Sequence, residues 1–308
     1  MELIVQPDDG IKPVLEVIGN AQKSIDIMIF RFGLKPMEKE LVAARTRGVV
    51  VRALIAHQGS QGEKSLRQLE QRMLEKGMLV ARTGDSFTRY HGKMMIIDRE
   101  ELHVYGFNFT ALDLKSRSFG IVTRDRHAVA EAIKVFEADT LRQEYEPQAE
   151  DGSFVVSPEN AREILATFIK RAKKQLLIYD PKLTDLQMLR LIHQRIKAGV
   201  DVRVLGRAGT RGKEIRVQKL PAHRLHVRAM VRDGDTAFVG SQSLRALELD
   251  GRREVGVIVK EPKTVKRMLD VFETDWSMTD LAAKEAKELK KEIKERKVEA
   301  ELAEAAAR

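Results

Sequence analysis

Two short stretches of this chain combine residue types suited to phosphorus chemistry. The first runs His91-Gly92-Lys93-Met94-Met95-Ile96-Ile97-Asp98 and is followed by Asn108-Phe109-Thr110. An imidazole acts as a nucleophile or proton carrier near neutral pH, and an ammonium two residues away supplies charge that holds an anion. The four residues between Lys93 and Asp98 are apolar and bounded by polar turn formers, the pattern of a short buried strand. On an extended backbone His91 and Lys93 share one face, and Gly92 lets another backbone or a ligand approach. A histidine and a lysine so placed can grip a phosphate.

One copy of such a pattern arises readily by chance. The second stretch, His226-Val227-Arg228-Ala229-Met230-Val231-Arg232-Asp233, repeats the histidine, the cation two residues on and the aspartate seven residues on. The register continues, since Asn108 lies seventeen residues after His91 and Ser243 seventeen after His226. Two copies in one register argue for an internal duplication.

The elements that must position these residues also repeat. Apolar periodicity predicts helices over 11–21, 37–47 and 63–76, with Gly48 and Gly77 as stops, and strands over 25–30, 49–55 and 79–81. This alternation implies crossover units and a largely parallel core to the sheet. Residues 102–105 are expected to return antiparallel, 119–123 add a strand, and a helix over 127–144 closes the first half. Residues 147–157, with Pro, Gly, Asp and Ser, read as a linker. The order then returns as a helix over 158–174, a strand over 175–179, a helix over 186–197 and a strand over 199–205.

The second half differs in one place. Where the first has the 63–76 helix, the second carries a basic loop with Arg207, Arg211, Lys213, Arg216, Lys219 and Arg224 against Glu214. That loop either steers a polyanionic substrate or is simply solvated. The expected organisation is a domain over 1–150 with the first histidine motif, a domain over 151–279 with the second, and an exposed helical tail over 280–308. The tail is rich in Ala, Glu and Lys, with only a thin apolar stripe.

A length of 308 residues suits two domains of about 150 residues, each able to bury a core. The absence of cysteine rules out disulfides and thiolate zinc sites. No apolar run reaches the roughly 18 residues of a membrane span, and the first residues lack signal-peptide character, so a soluble, cytoplasmic protein is expected, with peripheral membrane contact left open. The net charge of +9 predicts attraction to anions without choosing among nucleic acid, lipid surface and phosphorylated small molecule.

The duplicated His-x-Lys-x4-Asp pattern, with Asn108, Ser243, Lys115-Ser116-Arg117-Ser118-Phe119 and Gly240-Ser241, resembles the phospholipase D superfamily. That superfamily includes phosphatidyltransferases such as cardiolipin synthases, phospholipases and nucleases. The resemblance covers the chain to about Met278 and implies two similar α/β domains, each a mixed sheet flanked by helices, related by a pseudo-twofold axis. A monomer with an internal pseudo-dimer is the expected assembly.

The resemblance also implies roles. His91 is the nucleophile that forms a phosphohistidine and His226 the general acid and base. Lys93 and Arg228 hold the phosphate, Asn108 and Ser243 donate hydrogen bonds, and Asp98 and Asp233 support the motif strands. Glu254 corresponds to the acidic residue that orients an imidazole, reaching His91 across the axis. Its first-half counterpart is Ser118 or Phe119, which leaves only His91 with a carboxylate partner. No metal or cofactor is implied, because the cations and donors neutralise the phosphate oxygens.

The chain departs from the family pattern in three places. Arg228 stands for the usual lysine, Ser243 for the usual asparagine, and Tyr105-Gly106 for Gly-Ser. Among other residues, His57 is a candidate for lining the cleft, as are Arg207, Arg211 and Lys213. His223 is a weaker candidate, His103, His127 and His193 read as surface or helix residues, and Phe272 and Trp276 as core.

The expected activity is a phosphodiesterase or phosphatidyltransferase acting on phospholipid phosphodiesters. The Arg117-Ser118-Phe119 segment looks like the lipid enzymes. Two alternatives stand beside it: a nuclease, favoured by the basic balance, and a non-catalytic phosphate-binding module.

Overall fold

The computed structural model describes residues 1–57, 63–148, 152–212, 214–285 and 287–288. The first half runs β1 (Glu2–Gln6), α1 (Lys12–Asn20), β2 (Ser24–Ile29), α2 (Lys35–Thr46), β3 (Val50–Ile55), α3 (Glu63–Glu75), β4 (Leu79–Arg82), β5 (Arg89–Tyr90), β6 (Met94–Ile97), β7 (Glu101–Tyr105), α4 (Ala111–Leu114), β8 (Ser118–Thr123) and α5 (Arg126–Leu141). The second runs β9 (Phe154–Ser157), α6 (Ala161–Lys170), β10 (Gln175–Leu183), α7 (Leu186–Lys197), β11 (Asp201–Ala208), β12 (Arg216–Gln218), β13 (Arg228–Arg232), β14 (Thr236–Gly240), α8 (Ala246–Asp250), β15 (Arg252–Val259) and α9 (Pro262–Ser277). Apart from α3 and β5, each element of one half has its counterpart in the other.

The first sheet has the order β1-β8-β7-β6-β2-β3-β4 and the second the order β12-β11-β10-β13-β14-β15-β5, with β5 supplied by the first half and β9 also on β15. The parallel part is smaller than the alternation of elements suggests. The parallel pairings are those among β2, β3 and β4, likewise among β10, β11 and β12, and the short contact of β5 with β15, while β6–β8 and β13–β15 are antiparallel meanders. Short apolar strands joined by tight turns pair with their neighbours instead of crossing over.

Each half buries a core between its helices and one face of its sheet, around Ile27 and Leu41 in the first and Ile178 and Ile192 in the second. A third core joins the halves, with Met94, Phe119 and Phe136 packed together with Tyr179, Val255 and Phe272. The terminal helices reinforce this joint. Arg267 of α9 bonds the Leu3 carbonyl and Asp9 of the first half, and Arg253 of β15 bonds Asp139 of α5.

Four expectations change. His91 and Lys93 do not lie on a strand, because β6 begins at Met94 and both residues occupy the loop before it. Residues 154–157 of the expected linker form β9, which pairs with β15 as β1 pairs with β8. The helix expected over 158–174 is limited to Ala161–Lys170. His103 is 2% exposed on β7, its Nε2 2.8 Å from Glu101, where a surface position was expected. Phe272 and Trp276 are buried and stacked. Residues 280–285 of the tail dock on the body through Leu281, Ala282 and the Glu285–Arg216 ion pair, and 289–308 lie outside the described residues. Among the described residues no helix is long and apolar enough to cross a membrane.

Candidate active site

Each histidine loop is strapped to the opposite half. The backbone N–H groups of His91 and Gly92 donate to the carbonyl of Arg253 at 2.8 and 3.0 Å. In reciprocal fashion His226 donates to the carbonyl of Arg117, and Arg117 to that of Arg224, both at 3.0 Å. A Cβ on Gly92 would meet Met28 Sδ at 2.9 Å and Val255 at 3.3 Å, so the glycine makes room for side chains of both halves.

The turn after each motif strand is tied down by its aspartate. Asp98 accepts the backbone N–H groups of Gln22, Lys23 and Ser24, and Asp233 those of Lys173, Lys174 and Gln175. Both aspartates adopt positive φ, at 53° and 54°. Their carboxylates are spent on these turns and do not face the histidines.

His91 is 6% exposed, and its Nδ1 lies 2.8 Å from Oε2 of the fully buried Glu254. A carboxylate there keeps the proton on Nδ1 and leaves the Nε2 lone pair free to attack. Lys93 Nζ donates to the His91 carbonyl at 2.6 Å and sits 3.0 and 2.9 Å from the two ring nitrogens. An ammonium as near to Nδ1 as to Nε2 is not aligned with the single lone pair on Nε2, so the carbonyl contact anchors it. Burial holds the His91 imidazole well below its ordinary range, and Lys93 and Arg228 add to this. Burial likewise brings the Lys93 ammonium down to about 7, against the pull of Glu254.

His226 is 9% exposed, and its Nδ1 lies 3.0 Å from Asp113 Oδ1 of the first half. The contact has ion-pair distance but is off the line of a hydrogen bond. Asp113 is itself held by Asn108 Nδ2 at 3.1 Å, Thr110 Oγ1 at 2.6 Å and Arg224 Nη1 at 3.1 Å. Burial alone raises this carboxyl, but His226 and the three donors outweigh it and keep Asp113 below the ordinary range. Burial, reinforced by Arg228, keeps the His226 imidazole on the neutral side.

His226 therefore has a carboxylate partner, contrary to expectation. The missed signal is an acid 22 residues after each histidine, Asp113 in the first half and Glu248 in the second. Glu248 accepts from the Ser243 N–H at 2.9 Å and from Arg252 at 3.2 Å. Arg228 Nε reaches Ser243 Oγ at 3.2 Å and lies 3.8 Å from Glu248. The Ser243 hydroxyl thus accepts from the guanidinium, and the Asn108 amide donates to Asp113.

The substrate candidates fall elsewhere. His57 is exposed at the end of β3, its backbone tied to Thr83 and Arg82. Arg207 is exposed, Arg211 offers its carbonyl to His193, and Lys213 lies outside the described residues. The basic stretch is more ordered than a loop, because β12 adds to the edge of β11 as β4 adds to β3. Arg216 is engaged with Asp201 and Glu285, and Arg224 reaches His226 through Asp113. Arg117 turns into a buried pair with Asp275.

Duplicated α/β halves that each supply a histidine to a common centre define the class of the phospholipase D-like proteins. The chain matches the family model described as cardiolipin synthase, PLD-like domain, over residues 14–140 and 165–276, and it belongs to that family. Among solved structures it is similar to polyphosphate kinase from Porphyromonas gingivalis (TM-score 0.73, 17% identity, 88% of this chain and 46% of that one). It is also similar to phosphatidylserine synthase from Haemophilus influenzae (TM-score 0.68, 11% identity, 90% of this chain and 86% of that one). The chain thus spans about half of the kinase and most of the synthase, and these likenesses are of fold. Comparison with curated protein sequences gives no match.

Proposed function

We propose that this protein is a phospholipase D-type phosphodiesterase or phosphatidyltransferase that works without a metal, through a phosphohistidine, on phospholipid phosphodiesters. The observation that carries this reading is the crossed pairing of two buried histidines with carboxylates, His91 with Glu254 and His226 with Asp113. The family's description as cardiolipin synthase, PLD-like domain, supports the lipid substrate.

In the first step Nε2 of His91 attacks phosphorus, and the bond to the leaving oxygen breaks as His226 gives that oxygen a proton. In the second, His226 takes a proton from water or an alcohol, whose oxygen attacks phosphorus and releases His91. Lys93 and Arg228 offset the charge that builds on the phosphate oxygens. His226 is kept neutral partly by Arg228, so an arriving anionic phosphate favours its protonation. Substrate binding thereby prepares the acid.

The test uses phosphatidylglycerol vesicles, DNA and RNA in EDTA with the wild type, His91→Ala and His226→Ala. The expected result is lipid turnover lost in both variants, with acid-labile phosphate trapped on His91. Cleavage confined to nucleic acid would overturn the lipid assignment, phosphate on His226 would reverse the roles, and a metal requirement would sink the mechanism.

A further inference from the structure

Arg89 occupies a position that its charge does not favour. In the parallel pairing of β5 with β15 it stands in register with Arg252, so two guanidinium groups share one face of neighbouring strands. Arg252 is compensated by Glu248 at 3.2 Å and Glu254 at 3.7 Å. Among the described residues the side chain of Arg89 has no hydrogen-bond or ion-pair partner. Its guanidinium instead lies 5.4 Å over the ring of Phe30, and that ring packs edge-on against His91 with centroids 4.6 Å apart.

A second arginine lies close enough to add its charge to that of Arg89. Arg31 follows Phe30 directly, and its Nε is buried with no hydrogen-bond partner among the described residues. A buried N–H left unpaired is costly and needs a partner. Burial first, then the charges of Arg252 and Arg31, act on Arg89 against its ionisation and outweigh the opposing pull of Glu254 and Glu248. Glu248 and Glu254, which pair with Arg252, offset this only in part, so positive charge remains in excess beside His91.

We propose that Arg89 and Arg31 form an anion subsite beside His91 that takes a second phosphate of the substrate. The preferred substrate is then a phosphodiester with a further phosphate in the same headgroup, and a singly charged diester leaves the two arginines unpaired. Planar guanidinium groups suit phosphate oxygens, and the stack on Phe30 holds Arg89 ready at little entropic cost. This inference rests on the reaction proposed above and adds a substrate class to it.

Two measurements test it. In the first, turnover of vesicles of phosphatidylglycerol is compared with vesicles of phosphatidylglycerol phosphate, for wild type, Arg89→Gln and Arg89→Lys. The wild type is expected to prefer the second lipid, and Arg89→Gln to lower that preference roughly tenfold through KM, with Arg89→Lys between them. In the second, inorganic diphosphate is titrated into His91→Ala with and without Arg89→Gln, and the added change is expected to raise Kd roughly tenfold. Binding in this arm does not depend on turnover, so it separates failure of the subsite from failure of the reaction. A Tm that holds or rises in Arg89→Gln, as like-charge repulsion with Arg252 is relieved, excludes misfolding. Equal use of the two lipids with an unchanged diphosphate Kd would overturn the subsite and leave the phosphodiesterase reading intact. Diphosphate binding that depends on Arg89, without preference for the doubly phosphorylated lipid, would overturn the lipid headgroup as the source of the second phosphate.

Discussion

Asp113 and His226 meet at 3.0 Å across the joint between the two halves, although 113 residues of chain separate them. Asp113 arrives there because Thr110 caps the short helix α4 and Asn108, Thr110 and Arg224 aim its carboxylate. Asp113→Asn should lower kcat by about 10²–10⁴-fold, the range of a positioned acid and base, with a smaller change in KM. The Asp113 charge supports protonation of His226, so the limb of the pH–rate profile set by His226 should also move to lower pH. A variant with the wild-type profile would remove Asp113 from the mechanism.

Glu254 acts on the other histidine. Replacement by Gln removes the charge that fixes the His91 tautomer and also takes away support for the Lys93 ammonium. Rapid quench should show phosphohistidine forming about 10²-fold more slowly in Glu254→Gln. Formation at the wild-type rate would show that His91 needs no orienting carboxylate.

Lys93 gives a pH-dependent stability effect. Its folded pKa of about 7 lies below the ordinary lysine value, so between these two values the unfolded chain binds more protons than the folded one. Stability from this group therefore rises as pH climbs through 7, and below 7 the folded protein carries the full cost of a buried ammonium. Lys93→Met should be more stable than wild type by a few kcal/mol at pH 6, and the difference should shrink toward pH 10, while activity is lost. Urea midpoints at both pH values check this, and equal midpoints at pH 6 would refute it.

The paired aspartates outside the site should behave as supports. Asp98→Ala and Asp233→Ala each remove one carboxylate from three backbone donors, and each should cost about 2 kcal/mol in thermal or urea unfolding. The pH–rate profile of whatever folded enzyme remains should keep its shape. A shifted profile in either variant would assign that aspartate to proton transfer.

By itself the sequence determined the duplication, the motif residues and most of the elements. Those features are local, since periodicity sets helices and strands, and a repeated register shows the repeat. It also marked Glu254 as an imidazole partner, because that residue sits where the family resemblance expects an acid. The tertiary structure decided which groups meet across the joint. Asp113 pairs with His226 from a different offset than Glu254 uses for His91, and no spacing within one half reveals a contact made with the other. The histidine loops depend on carbonyls of Arg253 and Arg117, which only the reciprocal docking of the halves brings within reach. Arg89 and Arg252 become neighbours for the same reason: a charge reads as solvated in sequence until a strand from the other half is laid beside it.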